Sequence, residues 1–285
     1  MRTKKGKRED FKKAVSDWEI YGIPVFGGGE VEVLKKAEQW LSRGEKGKWI
    51  ATVNPEFVMR AIGDDNFMGL LAKTDMNVVD GIGLIWAKKV KAMPAGRQVS
   101  KSKSLKVLKK IFYGVKVGGE ILRGKYRDEL AAGADLMIKM ACLKVQKSES
   151  LKVFFLGGWG DRAERTAKQL SITNYELRIG WSSGGPKVKN EEVIRQINKF
   201  KPDLLFVAYG MQKQEEWIYK NIKDLDVGVA MGVGRSFDYY SGDLKRAPGW
   251  VRRMGMEWLY SLIVEPKRWK RQLVLPQFVW KVIIN

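Results

Sequence analysis

Residues 203–231 read DLLFVAYGMQKQEEWIYKNIKDLDVGVAM, and they set the expectation for the architecture of this 285-residue chain. Apolar runs predict strands over 203–208 and 226–231, and an amphipathic pattern between them predicts a helix over 211–222. A strand, a helix and a second strand joined by short connections are typical of two parallel strands with a helical crossover. This unit therefore predicts a parallel sheet covered by helices.

The same alternation continues upstream of this unit. Asn54 and Pro55 have the residue types of a helix N-cap and first turn, and a further helix is predicted from about Gly83. The remaining predicted elements are strands over 48–53, 76–79, 152–156 and 175–179, and helices over 132–147, 161–171 and 190–199. We expect an α/β fold with a mainly parallel sheet and helices on both faces, in a Rossmann-like arrangement.

The positive charge of the chain is confined to three segments. The formal net charge is +21, yet residues 1–13 hold 7 basic and 2 acidic residues, residues 88–127 hold 13 and 1, and residues 245–285 hold 9 and 2. The rest of the chain is close to neutral, so the basic segments are expected to be appendages of a globular domain.

This charge pattern and the predicted elements together give a domain organisation. Residues 91–130 interrupt the alternation and are rich in Lys, Gly and Ser, so we interpret them as an inserted loop that contains one helix. The expected parts are a basic N-terminal tail (1–13), an α/β domain (14–245) with a basic insertion at about 91–130, and a C-terminal appendage (246–285).

The C-terminal appendage interleaves tryptophan with arginine. Trp250, Trp258 and Trp269 lie among many cations at helical spacing, which suits a surface where hydrocarbon, water and phosphate meet. No run of 18 apolar residues predicts a membrane span. We expect a basic, Trp-rich helical tail that contacts an anionic membrane surface, although charge alone also fits nucleic acid.

Two residue counts limit the chemistry. The chain has no histidine, so a general base is expected to be a carboxylate, with Lys or Tyr as the alternative. Its single cysteine, Cys142, excludes an internal disulfide and a multi-cysteine zinc site, and its apolar helical context predicts a buried thiol.

Polar residues and glycines follow the predicted strands. Thr52 and Asn54 come at the end of the first, and Asp80 follows the next within DGIG (80–83). Ligands of open parallel sheets bind beyond the carboxyl ends of the strands, so these residues are candidates for a site. Alone, Asn54 also fits a helix N-cap and Asp80 a turn.

Two later strand ends fit a phosphate ligand. The glycine-rich turn with Gly157, Gly158 and Gly160 opens a helix, where free N–H groups and the helix dipole suit phosphate. It is only part of a dinucleotide motif, so a nucleotide diphosphate is favoured over NAD. Gly210 and Gln214 follow strand 203–208.

Two motifs are interpreted as structural. The run Gly27–Gly29 lacks a phosphate-binding lysine and is expected to be a turn. Asp224 and Asp226 spell the Asp-x-Asp of metal-dependent glycosyltransferases, but they precede a predicted strand, which is the wrong end for a site.

Taken in order, these motifs resemble the WecG/TagA/CpsF family of bacterial glycosyltransferases. The matching stretches are TVNPEF (52–57), DGIG (80–83), GADLM (133–137), FFLGGWG (154–160), GMQKQE (210–215), VGRSFDYYSG (233–242) and RAPGWVRRMGMEWLYSLIVEPKRWKRQ (246–272). The resemblance implies an inverting transfer of N-acetylmannosamine, or a related sugar, from a UDP donor to undecaprenyl-diphosphate-linked N-acetylglucosamine. The enzyme would be cytoplasmic and peripheral on the inner face of the plasma membrane, supplying teichoic acid or exopolysaccharide.

The resemblance also implies roles for individual residues. Asp80 matches the general base, Thr52 and Asn54 match polar residues of the same pocket, and Gln214 matches a donor-contacting glutamine. Arg268 and Arg271 match basic residues that close over the site. The nucleotide is expected at the glycines Gly157, Gly158, Gly160 and Gly210. No metal or other cofactor is expected, since arginines can stabilise the leaving UDP.

Three motifs depart from the family pattern. Gln212 stands where proline is common, Arg235 and Ser236 stand where glycine and alanine are usual, and Ser261 stands where many members have arginine. These departures leave open a catalytically inactive scaffold with the same fold, and Arg252 or Arg253 is a candidate to replace the missing arginine. A nucleic-acid-binding protein is the other alternative, although no nucleic-acid partner is expected from the resemblance. A homo-oligomer is compatible with the sequence.

Overall fold

The computed structural model describes residues 14–94, 102–145, 150–173, 176–183 and 190–285. The predicted basic tail, residues 1–13, lies outside the described residues, as do residues 95–101 of the predicted insertion.

The strands and helices alternate along most of the chain. The strands are β1 (Trp18–Ile20), β2 (Ile23–Val25), β3 (Lys48–Val53), β4 (Met76–Val79), β5 (Lys152–Gly157), β6 (Arg178–Ser182), β7 (Leu204–Ala208) and β8 (Val229–Gly232). The helices are α1 (Gly29–Ser42), α2 (Pro55–Ile62), α3 (Asp65–Leu71), α4 (Ile82–Lys91), α5 (Lys103–Leu122), α6 (Gly133–Ala141), α7 (Arg162–Thr173), α8 (Asn190–Phe200), α9 (Lys213–Asn221), α10 (Ser236–Tyr240), α11 (Gly249–Arg253), α12 (Glu257–Val264), α13 (Trp269–Gln272) and α14 (Val274–Ile284).

Six strands form one parallel sheet in the order β4-β3-β8-β7-β5-β6. Parallel neighbours bring their carboxyl ends to the same edge, so β3 ends at Val53 directly beside Val79 of β4. A short antiparallel pair, β1 and β2, lies next to β4 through the bridge between Phe26 and Val78. The predicted parallel sheet is confirmed.

The core lies on both faces of the sheet because successive strand side chains point in opposite directions. Phe155 of β5 packs with α1, α6, α7 and α10 in one cluster, and its neighbour Phe154 packs with α8 and α9 in another. A third cluster joins Ala51 of β3 to α2, α4 and α14. The prediction of helices on both faces is therefore also confirmed.

Three predicted boundaries differ from the structure by three residues or more. β8 begins at Val229 instead of 226, and the residue before it, Gly228, lies so close to β7 that an added Cβ would be 2.6 Å from the Asp203 carbonyl oxygen. β6 spans 178–182 instead of 175–179; it is an edge strand with partly exposed side chains, so its hydrophobic pattern is weak. The helix predicted over 132–147 ends at Ala141.

The early end of α6 changes the environment of Cys142. This residue caps α6, and the chain turns there with the Leu143 N–H donating to the Met140 carbonyl at 3.1 Å. The side chain is consequently exposed, and the prediction of a buried thiol is wrong.

The predicted insertion contains one long helix, α5, as expected. This helix is not a free loop element, because it packs along α4 and its Gly114 carbonyl accepts a hydrogen bond from Trp86 Nε1 at 2.9 Å. Its contacts place the insertion beside the sheet edge that carries β4.

The C-terminal segment divides into an exposed part and a packed part. Trp250, Trp258 and Trp269 are exposed, whereas Phe278 and Val282 of α14 are buried against α2 and α4. The last helix therefore contributes to the core of the domain. Of the helices in the described ranges, none combines the length and the hydrophobicity that a membrane span requires.

Candidate active site

A cavity of about 250 Å³ opens at the carboxyl ends of the four neighbouring strands β4, β3, β8 and β7. Its lining includes seven of the residues predicted from the sequence, namely Thr52, Asn54, Asp80, Gly210, Gln214, Arg268 and Arg271. These residues come from positions more than 200 apart in the chain. The parallel sheet brings the first five together, as expected for a site beyond the strand ends, and the C-terminal segment adds Arg268 and Arg271.

Asp80 lies directly after β4 and is held in place by backbone groups. Its own N–H continues the sheet by donating to the Val53 carbonyl at 2.8 Å. Its Oδ1 accepts a hydrogen bond from the Gly133 N–H, the first residue of α6, at 3.0 Å. The positive end of the α6 dipole therefore faces the carboxylate, and Oδ2 is left for another partner.

The glycines of the DGIG motif allow this arrangement. Gly81 has φ +148°, and an added Cβ would lie 3.4 Å from Asn54 and from Pro55. At Gly83 an added Cβ would lie 2.8 Å from the Pro55 ring. The start of α4 can therefore pack closely against the start of α2, which keeps Asp80 and Asn54 at the same cavity.

Burial raises the pKa of Asp80 to about 6. The Gly133 hydrogen bond and the nearby Arg246 lower this pKa, while the negative charges of Glu257 and Asp135 raise it. Asp80 is still partly accessible through the cavity. A partly accessible carboxylate with a pKa near neutrality is suited to accept a proton.

Thr52 and Gln214 hold the loop after β8. The buried Thr52 hydroxyl donates to the Gly232 carbonyl at 3.1 Å. The Gln214 side chain accepts from the Gly234 N–H at 3.0 Å and donates to Glu215 Oε1 at 2.9 Å. Both side chains line the cavity, and their hydrogen bonds hold Gly232 and Gly234 at its wall.

Asn54 is the N-cap of α2. Its Oδ1 accepts hydrogen bonds from the Glu56 N–H at 2.9 Å and the Phe57 N–H at 3.1 Å, so the structural interpretation of this residue is confirmed. Its Nδ2 group, for which the described residues supply no hydrogen-bond partner, remains available at the cavity. A capping role and a binding role are therefore compatible.

Arg246 is a cavity residue that the sequence reasoning did not single out. Its guanidinium binds both carboxylate oxygens of Asp135, at 2.5 and 2.8 Å, and its Nε donates to Glu257 at 3.2 Å. Both partners keep it charged, and the pKa of Arg246 is raised further above its usual range. The sequence did contain a signal for this contact, since Asp135 lies in the motif GADLM (133–137) and Arg246 begins the motif that opens with RAPGW (246–250).

The arginines of the tail are bound to carboxylates at the cavity rim. Arg268 Nη1 donates to Glu265 at 3.3 Å, and Arg271 Nε donates to Glu56 at 2.5 Å. Arg235, at the start of α10, also binds Glu265. Together with Arg246, these residues place four guanidinium groups around the cavity that holds Asp80.

The three departures from the family pattern have local structural consequences. Gln212 adopts φ +69°, which a proline could not, and its side chain contacts Asp64 and Glu216 at 3.3 and 3.0 Å. Neither Arg252 nor Arg253 lines the cavity that holds Asp80, since Arg252 binds Asp135 and Arg253 is exposed, so a role for either in place of an arginine at Ser261 stays a prediction. Arg235, which precedes α10 in the sheet domain, binds Glu265 of the C-terminal segment.

The glycines of the turn after β5 are not part of this cavity. Gly157, Gly158 and Gly160 have φ values of +92°, +71° and +65°, as expected for a turn. The Gly158 N–H donates to the Ala208 carbonyl at 3.0 Å and is not free for a phosphate in this conformation. The nucleotide-binding role of these three glycines stays a prediction, and Gly210 is the one predicted glycine that lines the cavity.

A larger cleft of about 740 Å³ lies beside the cavity and shares Ala132 with it. Gly27 and Gly28 line this cleft and lead through a bend into α1, which begins at Gly29, instead of forming a separate turn. The Gly27 N–H donates to Asp17 at 2.7 Å. Asp226 precedes β8 and binds Lys46 at 2.9 Å, so the structural interpretation of the Asp-x-Asp motif is confirmed. Across the described ranges, no cluster of three or more His, Cys, Asp or Glu side chains could hold a metal ion.

Comparisons with known proteins show which family this chain resembles along most of its length. The profile of the family described as "Glycosyl transferase WecG/TagA/CpsF family" matches residues 18–110 and 113–285. The chain is similar to an N-acetylglucosaminyldiphosphoundecaprenol N-acetyl-beta-D-mannosaminyltransferase of Bacillus subtilis (strain 168), with 27% identity covering 93% of this chain and 90% of the relative. Proteins with the same name from Bacillus spizizenii and Staphylococcus aureus (strain NCTC 8325) are 30% and 28% identical, covering 84% and 82% of this chain and 79% of each relative.

Proposed function

The chain belongs to the WecG/TagA/CpsF family of glycosyl transferases, and on that basis we propose that it moves N-acetylmannosamine, or a related acylamino sugar, from UDP to N-acetylglucosamine on undecaprenyl diphosphate. The names of the three relatives describe this mannosaminyl transfer. Family membership disfavours the nucleic-acid-binding interpretation. We further propose that the reaction inverts the anomeric centre and needs no metal.

The observation that carries the proposal is the position of Asp80 beside a group of arginines. Its carboxylate is anchored through Oδ1 to Gly133, and the described residues supply no hydrogen-bond donor to Oδ2, which we propose receives the proton. In the proposed step, the acceptor hydroxyl attacks C1 of the donor sugar and its proton passes to Asp80. The bond from C1 to the phosphate oxygen breaks, and its electron pair leaves with UDP.

The arginines would stabilise the negative charge that develops on UDP. Guanidinium groups offer paired donors that match phosphate oxygens. In the described conformation Arg268 and Arg271 bind Glu265 and Glu56. We propose that the donor diphosphate replaces these carboxylates, so that charge stabilisation by arginine takes the role that a divalent metal has in other glycosyltransferases.

The acceptor places the reaction at a membrane. Undecaprenyl chains are hydrocarbon, and the exposed tryptophans Trp250, Trp258 and Trp269 lie in the same segment as the cavity arginines Arg268 and Arg271. We propose a peripheral enzyme on the inner face of the plasma membrane, whose C-terminal segment contacts anionic lipid while the cavity receives the diphosphate-linked sugar.

The test measures UDP release from UDP-N-acetylmannosamine, with EDTA, in the presence and absence of a short-chain lipid-diphosphate N-acetylglucosamine. We expect release that depends on the acceptor. Asp80→Asn should reduce turnover by about a hundredfold to ten-thousandfold and leave UDP affinity unchanged, because a base acts on the acceptor. The control is Asp65→Asn, which alters an exposed carboxylate.

Three outcomes would count against parts of the proposal. Full turnover by Asp80→Asn would remove this residue from the role of base. Activity that disappears in EDTA and returns with Mg²⁺ would overturn the metal-independent step. No release from a panel of UDP-sugars would instead favour the inactive scaffold.

A further inference from the structure

Helix α5 carries an apolar stripe on the side that faces away from the protein. Phe112 and Val115 are 68% and 70% exposed, whereas Val117 and Ile121 are buried. Side chains three or four residues apart share a helix face. The exposed stripe consists of Leu105, Leu108, Ile111, Phe112, Val115 and Leu122.

The same helix is strongly cationic. It contains five lysines and one acidic residue, Glu120, which is bound to Tyr126 and Lys125. Lys109 and Lys116 flank the stripe and are exposed. For none of the five lysines does the described part of the chain provide an ion-pair partner; they are Lys103, Lys106, Lys109, Lys110 and Lys116.

The end of α5 lies close to the cavity. An added Cβ on Gly255, between α11 and α12, would lie 3.1 Å from Ile82 and 3.2 Å from Ile121 of α5. Ile82 is two residues after Asp80. The apolar stripe therefore belongs to the same part of the molecule as the catalytic carboxylate and the C-terminal helices, and α14 also packs on α5.

We propose that this face of α5 is a membrane-docking surface that binds anionic phospholipid bilayers, separate from the C-terminal segment. Apolar side chains flanked by lysines match an interface of acyl chains below negative headgroups. Pairing of the same face with a second copy is disfavoured, because it would bring lysines of both copies together. The inference rests on the proposed function, since a lipid-linked acceptor requires the enzyme to approach a bilayer.

The experiment compares vesicle binding by full-length variants with vesicles of phosphatidylcholine alone and of phosphatidylcholine with phosphatidylglycerol. We expect Phe112→Ser combined with Val115→Ser to lower the partition coefficient by about tenfold or more, since both side chains would enter the interface. The matched control is Ile172→Ser on α7, which alters a side chain that is 63% exposed beside the opposite sheet edge. It should leave binding unchanged.

A charge variant tests the lysines separately. Lys109→Gln combined with Lys116→Gln should weaken binding to the anionic vesicles by about fivefold per lysine and leave binding to neutral vesicles unchanged. Circular dichroism of each variant checks that the fold is kept.

The outcomes separate this proposal from the proposed function. Unchanged vesicle binding by the Phe112/Val115 variant would overturn the docking proposal. If that variant also changed from dimer to monomer, the exposed face of α5 would instead be an interface between two copies of the chain. Transfer to a short-chain acceptor in solution should be unaffected by the variant. If the wild type shows no transfer but the variant loses vesicle binding, the docking surface stands and the assigned reaction fails.

Discussion

Asp135 holds Arg246 through two parallel hydrogen bonds, from Nη1 to Oδ1 at 2.5 Å and from Nη2 to Oδ2 at 2.8 Å. Asp135 lies in the first turn of α6, and Arg246 begins the C-terminal segment, so the pair ties that segment to the sheet domain. It also fixes the guanidinium at the cavity beside Asp80. Although burial alone would raise it, the pKa of Asp135 is lowered by the Arg246 hydrogen bonds and charge.

Asp135→Asn should disturb both stability and transfer. The amide has a similar shape but loses the charge and one acceptor, so the two-point contact breaks, at a cost of about 1–3 kcal/mol in the free energy of unfolding. We expect a lower Tm and a fall in kcat/KM. Asp161→Asn on an exposed ion pair is the control. An unchanged Tm would show that the pair does not hold the segment.

The rate of transfer should depend on the ionisation of Asp80. Since its pKa is raised to about 6, the carboxylate is protonated below that pH and kcat/KM should fall about tenfold per pH unit there. Glu257→Gln removes a negative charge that raises this pKa, so the acid limb should move to lower pH. The control is Glu192→Gln, which alters an exposed carboxylate. If the acid limb of the kcat/KM profile moved equally in this variant, the shift could not be assigned to the charge of Glu257 beside Asp80.

Arg271 should contribute to donor binding. Removing its fork of donors in Arg271→Ala should raise the KM for the UDP-sugar by about tenfold, with partial rescue in Arg271→Lys because a lysine offers charge without the fork. Lys270→Ala, next to it on the exposed side of the tail, is the matched control. Equal effects of the two alanine variants would point to general attraction by the tail.

The ion pair between Arg235 and Glu265 should hold the tail closed. A double-mutant cycle with Arg235→Ala and Glu265→Ala, measured by limited proteolysis of the C-terminal segment, should give a coupling energy of about 0.5–1 kcal/mol. The pair is partly buried, and Glu265 also binds Arg268. Additive effects would mean that the ion pair between Arg235 and Glu265 does not hold the tail closed.

Glu215 should make stability depend on pH. Burial raises its pKa from 4.5 to about 7, so its ionisation opposes folding. The contribution of Glu215 to stability should be fully present below about pH 4.5 and be lost as the pH rises toward 7, by about 3 kcal/mol in total. Glu215→Gln should flatten this dependence in chemical unfolding at pH 5 and pH 8. The comparison is with Glu191→Gln, which alters an exposed carboxylate.

Local patterns in the sequence were sufficient to predict the strands and helices of the α/β fold. Alternating apolar runs and amphipathic stretches predicted the strands of the parallel sheet, because each pattern reflects burial on one or two faces of its own element. The N-cap at Asn54 was readable for the same reason, since its partners are two and three residues away. The motifs also predicted Asp80 and the tail arginines as site residues, and all three line the cavity.

Contacts between distant segments required the tertiary structure. The Gly133 N–H that anchors Asp80, the Gly232 carbonyl that accepts from Thr52, and the Asp135 carboxylate that orients Arg246 lie 53, 180 and 111 residues from their partners. Which strands become neighbours decides these contacts, and hydrophobic periodicity carries no information on strand order. The sequence by itself therefore determined the elements and the chemical groups of the site, whereas the order β4-β3-β8-β7 determined how those groups meet.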